Sequence, residues 1–144
     1  MTRIGRFIAP AIAVLALANA SAQEKSLYLR LGGYDQIAAI VDDFGGRIGT
    51  NEQFKRFFGG HSKETQMRQR QLFLDLLCQM TGGPCIYIGR DLKAAHGGLG
   101  ITKADWDAAS KIFIETLAKF NIGEREQQEL GALIGPREKD IVEK

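Results

Sequence analysis

The sequence predicts an all-α domain, and three observations carry that prediction. Apolar residues recur at spacings of three and four in each long segment, the period of one helix face. No run alternates with period two for the length of a strand. Glycine pairs, not strand-turn signals, punctuate the chain at Gly32-Gly33, Gly59-Gly60, Gly82-Gly83 and Gly97-Gly98.

The first residues have to be set apart from the fold. Arg3 and Arg6 precede an almost wholly apolar run from Phe7 to Ala18. Ala18-Asn19-Ala20 and Ala20-Ser21-Ala22 then offer small-x-small cleavage sites. That is the layout of a secretory signal peptide. The apolar run falls short of the roughly 20 residues a spanning helix needs, which weighs against the rival reading of an uncleaved anchor. Residues 1–22 therefore read as a leader, and 23–144 as one domain exported to the periplasm or outside the cell. No membrane span is expected once the leader is removed.

The elements follow in order. Leu27 to Leu31 makes a short turn stopped by Gly32-Gly33. Asp35 is a fair N-cap for a helix through Ile48, with Ile37, Ile40, Val41 and Phe44 at helical spacing. Asn51 caps a short turn ending in Phe57-Phe58, after which Gly59-Gly60 breaks the chain. A long helix covers Lys63 to Met80, with Met67, Gln71, Leu74 and Cys78 on one face. His96 ends a short helical turn. Thr102 and Asp105 form a capping box for the next helix, whose stripe is Trp106, Ala109, Phe113, Leu117 and Phe120. Glu124 to Ile134 is the last helix, ended by Gly135-Pro136.

Charge and cysteine content narrow the function classes. The formal net charge of +2 includes the leader's two arginines; without them basic and acidic residues are equal in number. No basic stripe interleaved with aromatics remains, so nucleic acid is excluded as the expected partner. Cys78 and Cys85 flank a Gly-Gly-Pro turn. They read either as a disulfide or as a buried small hydrophobe and a free loop thiol, and spacing does not decide between them. A thioredoxin-type role is excluded by the lack of Cys-x-x-Cys.

With two histidines and two cysteines, a closed four-ligand metal site would need carboxylates. One imidazole suffices for haem, which brings four ligands of its own.

From Leu27 to about Val142 the chain resembles the group I truncated haemoglobins. The resemblance rests on Leu31-Gly-Gly33, Phe57-Phe58-Gly-Gly60, Gly82-Gly83-Pro84, Tyr87-x-Gly89, Leu92-Lys93-Ala-Ala-His96 and Gly100-Ile101-Thr102, in the family's order and nearly its spacing. It implies a truncated globin-like fold, a two-over-two helical sandwich around haem b. It implies His96 as the proximal iron ligand and Phe58 as the ring stacked on the porphyrin, with Phe57 in the core. It places Met67 at the distal gate, with Gln66 as competitor, and Gln71 at the polar distal position as an amide donor to a gas. Lys93 reaches a propionate; Arg90 and Arg70 are weaker candidates, and Tyr87 lines the proximal side or packs its loop. His61 is left as a solvated loop residue. The chain departs from many relatives after Phe44, where Gly45-Gly46 replaces a distal tyrosine. Faster gas release is the expectation.

The function this implies is reversible binding of dioxygen, nitric oxide or carbon monoxide at ferrous iron, with no catalytic residue assigned. The alternative is an enzyme, a nitric oxide dioxygenase or peroxidase-like protein. It would need a separate electron donor, because no flavin or nicotinamide motif is present. A haem-free helical sensor is the third reading, distinguished by the absence of a Soret band.

Overall fold

The structure, a computed structural model, describes residues 24–144; the leader expected at 1–22 lies outside the described residues. It contains α1 (Leu27–Arg30), α2 (Gly33–Thr50), α3 (Lys55–Phe58), α4 (Lys63–Met80), α5 (Leu92–His96), α6 (Lys103–Lys119), α7 (Glu124–Ile134), a 3-10 turn (Gly135–Arg137) and α8 (Glu138–Ile141). Among the described residues there is no strand.

The caps are those the side chains dictate. Ser62 accepts from the Thr65 amide at the start of α4, and Thr102 and Asp105 close a reciprocal capping box at the start of α6. Two boundaries differ from the sequence reading. Helix α2 begins at Gly33, two residues before Asp35, because Gly32 holds the chain at φ 96°. Gly135-Pro136 does not end the helical path. Pro136 sits at the start of a 3-10 turn, where a missing N–H costs nothing, and α8 follows. Four residues are too few to show a period, so α8 left no signal in the sequence.

Gly45 and Gly46 lie inside α2 without breaking it. Their propensity cost of about 1 kcal/mol each is offset by burial of Ile37, Ile40, Val41 and Ile48 on the same helix, each worth about 1.5–3 kcal/mol.

Helix α2 packs on both α4 and α6, α1 on α7, and α5 on α8. Leu27, Leu31, Ile37, Ile40, Val41, Leu74, Leu77, Leu117 and Leu130 form the core, with Phe73, Phe113 and Phe120 packed against it. Phe44 meets Phe113 edge-on at 5.2 Å and Phe73 at 5.7 Å. A gap of about 10 Å³ lined by Leu31, Ile37, Ile40, Leu77 and Leu117 has room for one water at most. That gap is too small for a cofactor.

Cys78 and Cys85 form a disulfide, with Cα atoms 5.7 Å apart. It ties the end of α4 to the segment leading into α5. Closing so short a loop stabilises by about 2–3 kcal/mol on chain-entropy grounds. Replacing both cysteines by serine is expected to lower stability by that amount in a denaturant titration, with no change in helix content.

Candidate haem site

Asp91 caps α5 by accepting the Ala94 amide at 2.9 Å, which fixes a helix of only five residues. At its end, His96 Nδ1 lies 2.8 Å from the Leu92 carbonyl. A carbonyl only accepts, so Nδ1 carries a proton, and in the neutral imidazole Nε2 is then the nitrogen with the lone pair. Among the described residues no hydrogen bond reaches Nε2. The imidazole is half-buried, oriented by its own helix, and presents a free donor nitrogen of the kind iron takes.

The approach to α5 is equally constrained. The Tyr87 amide donates to Gln79 Oε1 at 2.6 Å, and its hydroxyl donates to the Arg90 carbonyl at 2.6 Å. Tyr87 therefore packs its own loop. Its ring lies so close over Gly89 that a Cβ there would come within 2.3 Å of it, which accounts for the glycine of the Tyr-x-Gly motif.

Phe58 ends α3 and is half-buried, while Phe57 packs against the buried Phe54 ring at 6.4 Å with the Arg56 guanidinium 4.3 Å over it. Arg56 also pairs with Asp105 at the start of α6, and Gln53 donates to the same carboxylate at 3.0 Å. The Gln53 amide, the Thr102 groups and the nearby Arg56 charge together pull the Asp105 carboxyl down to about 2. Through the buried Asp105 carboxylate the exposed Arg56 and Gln53 tie α3, and with it Phe58, to the start of α6.

His61 corrects the reading of a solvated loop residue. Its ring stands edge-on to Phe58 with centroids 6.3 Å apart, and its Nδ1 is buried without a hydrogen-bond partner. Folding against the aromatic turn, not loop position, sets its environment.

The distal candidates separate. Gln71 is exposed, and its amide donates to the Tyr34 hydroxyl at 3.2 Å and to Asp75 at 2.9 Å. Residues two apart on a helix differ by about 200° in direction. Gln71 therefore faces away from Phe73, the residue of α4 that meets Phe44. Gln66, two turns before Phe73 on its side, donates to the His61 carbonyl at 3.1 Å and so lies beside the Phe58 turn. Met67 is 70% exposed at the open end of α4. Arg70 is committed to Asp42 of α2, whose carboxyl it holds below the usual range. Lys93 is exposed and makes no ion pair among the described residues, which leaves its ammonium available to an anion. Periodicity had grouped Gln71 with Met67 and Leu74; the partner across the helix interface, Tyr34, was not legible from spacing.

These residues fit haem. They offer one unpartnered imidazole nitrogen, an unpartnered buried nitrogen beside an aromatic turn, and apolar side chains left open at Phe58, Leu92 and Met67. Among the described residues no cluster of three or more His, Cys, Asp or Glu could hold a bare metal ion. A helical sandwich with a single oriented imidazole and an aromatic wall defines a haem protein of the globin class.

The comparisons agree with that class. The chain belongs to the bacterial-like globin family, whose model matches residues 26–142. It is 28% identical over 120 residues to the group 1 truncated hemoglobin of Tetrahymena pyriformis, covering 83% of this chain and 97% of that protein. It is 26% identical over 120 residues to the group 1 truncated hemoglobin GlbN of Mycolicibacterium paratuberculosis, covering 83% and 86%. The crystal structure of the Tetrahymena pyriformis protein in its Fe(III) form superposes with a TM-score of 0.76 over 83% of this chain and all of that one, at 26% identity. The 2/2 hemoglobin of Synechococcus sp. PCC 7002, solved in the cyanomet state with covalently attached heme, gives 0.74 at 27% identity, over 82% and 98%. The fold is the two-over-two globin sandwich, the cofactor is haem, and the activity is haem-based binding of small gases.

Proposed function

We propose that the protein binds dioxygen reversibly, with His96 as the iron ligand, and does so outside the cytoplasm. Haem, when bound, would supply ferrous iron able to take a diatomic gas, for which nitric oxide and carbon monoxide would compete. The chain's residues do the rest. The Leu92 carbonyl holds the His96 tautomer and ring orientation, Phe58 and Leu92 provide apolar surface that excludes water, and Lys93 supplies a cation for a propionate. The observation that carries the reading is the oriented imidazole with Nε2 unpartnered.

On the distal side the position of Gln66 beside the Phe58 turn supports it, in preference to Gln71, as the amide that would turn toward a gas. A neutral hydrogen bond contributes about 0.5–1.5 kcal/mol, or a rate factor of roughly 2–12. Gln66→Leu is expected to speed dioxygen release within that range in stopped-flow measurements, and Gln71→Leu to leave it unchanged. The reverse pattern would return Gln71 to the role. Gly45 contributes no side chain to the pocket, which favours rapid exchange.

The export reading is supported by the Cys78–Cys85 disulfide, since such bonds persist in oxidising compartments, and by the leader-like composition of residues 1–22. Sequencing the amino terminus of the mature protein from cell fractions tests it, with cleavage expected before Ser21 or Gln23. Nitrate formation on mixing the oxygenated protein with nitric oxide, sustained by an added reductant, would move the assignment to a dioxygenase.

A further inference from the structure

The four residues after His96 form a glycine-rich turn, Gly97-Gly98-Leu99-Gly100. Gly98 and Gly100 both take left-handed backbone conformations, φ 81° and 65°. Both oxygens of one carboxylate meet this turn. The Gly98 amide donates to Glu143 Oε1 and the Gly100 amide to Glu143 Oε2, each at 2.5 Å. Backbone pairing holds Glu143 in place: its amide donates to the Ile101 carbonyl at 2.8 Å, and the Lys103 amide donates to the Lys144 carbonyl at 3.0 Å. Just before it, α8 packs against α5, the helix that bears the histidine. The two amides draw the Glu143 carboxyl below the usual carboxylate range.

We infer that Glu143 is a positioning residue for the proximal histidine, clamping the turn after His96 through the Gly98 and Gly100 amides. The inference rests on His96 being the iron ligand. Helix α5 has only five residues, too few to hold its shape by its own hydrogen bonds. Its incoming end is fixed by Asp91 and by Tyr87 through Gln79. Its outgoing end has the Gly97 amide on the Lys93 carbonyl, the Leu99 amide on the His96 carbonyl at 3.3 Å, and then the carboxylate. The left-handed φ of Gly98 and Gly100 lets these two amides, one residue apart, point at the same carboxylate. Side-chain-bearing residues at 98 or 100 would be strained in that conformation whatever the space around them.

The experiment compares wild type, Glu143→Ala, Glu143→Gln and, as a control for general destabilisation, Arg125→Ala, which loses exposed ion pairs far from the turn. In the haem-free protein, amide hydrogen exchange at Gly98 and Gly100 is expected to be slow in wild type and in Arg125→Ala and fast in both Glu143 variants. In the haem-loaded protein, Glu143→Ala is expected to release haem to a haem acceptor about fivefold faster, the effect of one or two lost charge-assisted bonds at an exposed site. Its ferrous iron–histidine stretching band should broaden or shift, a signature that a merely structural role does not move. Fast exchange of the two amides in wild type would overturn the clamp. An unchanged iron–histidine band and haem loss in both Glu143 variants would reduce it to a turn cap. A wild-type protein with no iron–histidine band at all would remove His96 as ligand and the proposal with it, whereas a band present in wild type and absent in His96→Ala leaves the ligand standing and tests the clamp alone.

Discussion

His96→Ala is expected to abolish the five-coordinate ferrous spectrum and weaken haem retention by more than about a hundredfold. Losing only an outer partner of a metal ligand costs about 10–100-fold, so losing the ligand sets a larger effect. The fold should survive, because His96 is half-buried at the end of a five-residue helix and lies outside the core cluster. Absorption spectra of ferric and ferrous forms, with and without carbon monoxide, read the outcome. Added imidazole should restore a ligated spectrum in the alanine variant, since the residues that shape the surroundings remain. A variant that keeps the wild-type spectrum would transfer the ligand role elsewhere, with His61 the other imidazole in the chain.

Asp105→Ala is expected to lower stability by about 2–3 kcal/mol. The substitution removes half of the capping box, worth about 1 kcal/mol, and the acceptor for Gln53 and Arg56 at a position only 3% exposed. Asn keeps one acceptor oxygen and should cost less. The same group predicts a pH dependence. Its folded-state value of about 2 lies below the ordinary 3.8, so the unfolded chain binds the proton more readily. Stability from this carboxylate is complete above pH 4 and is lost as pH falls from about 4 through 2, amounting to about 2 kcal/mol. In urea titrations the loss of stability between pH 5 and pH 2.5 should be smaller in Asp105→Ala than in wild type by most of that amount, the remainder coming from other carboxylates held below their usual range, such as Asp42 and Asp43. Because Asp105 joins α3 to α6, the acid form should also release Phe58 from its place, seen as faster haem loss before the helices unfold.

How much of this was legible in the sequence follows from what kind of signal each feature leaves. Lys63–Met80 appeared with the bounds the spacing predicted, because eighteen residues of periodic pattern are a long local signal. The Thr102–Asp105 box was readable for the same reason, as it joins residues three apart. The short α8 was not readable, and Gly45-Gly46, which breaks a helix only on propensity grounds, left α2 intact because its buried face outweighs that cost. The cysteine pair stood undecided until two Cα positions 5.7 Å apart settled it as a disulfide.

The candidate site divides along the same line. His96 and Phe58 were singled out by motifs local in the chain, and Asp91, Leu92 and Gly97 act on them from within a few residues. Gln71, His61 and Glu143 owe their surroundings to contacts far from them in the sequence or across a turn: Tyr34 for the first, Phe58 for the second, Gly98 and Gly100 for the third. Helical period, caps and glycine breaks are written in neighbouring residues, and they determined the helices, the family and the imidazole. Which polar group meets which is decided by how helices cross, a property of the packed core as a whole. Tertiary structure alone therefore turned Gln71 outward and set a carboxylate forty-seven residues further along against the turn beside His96.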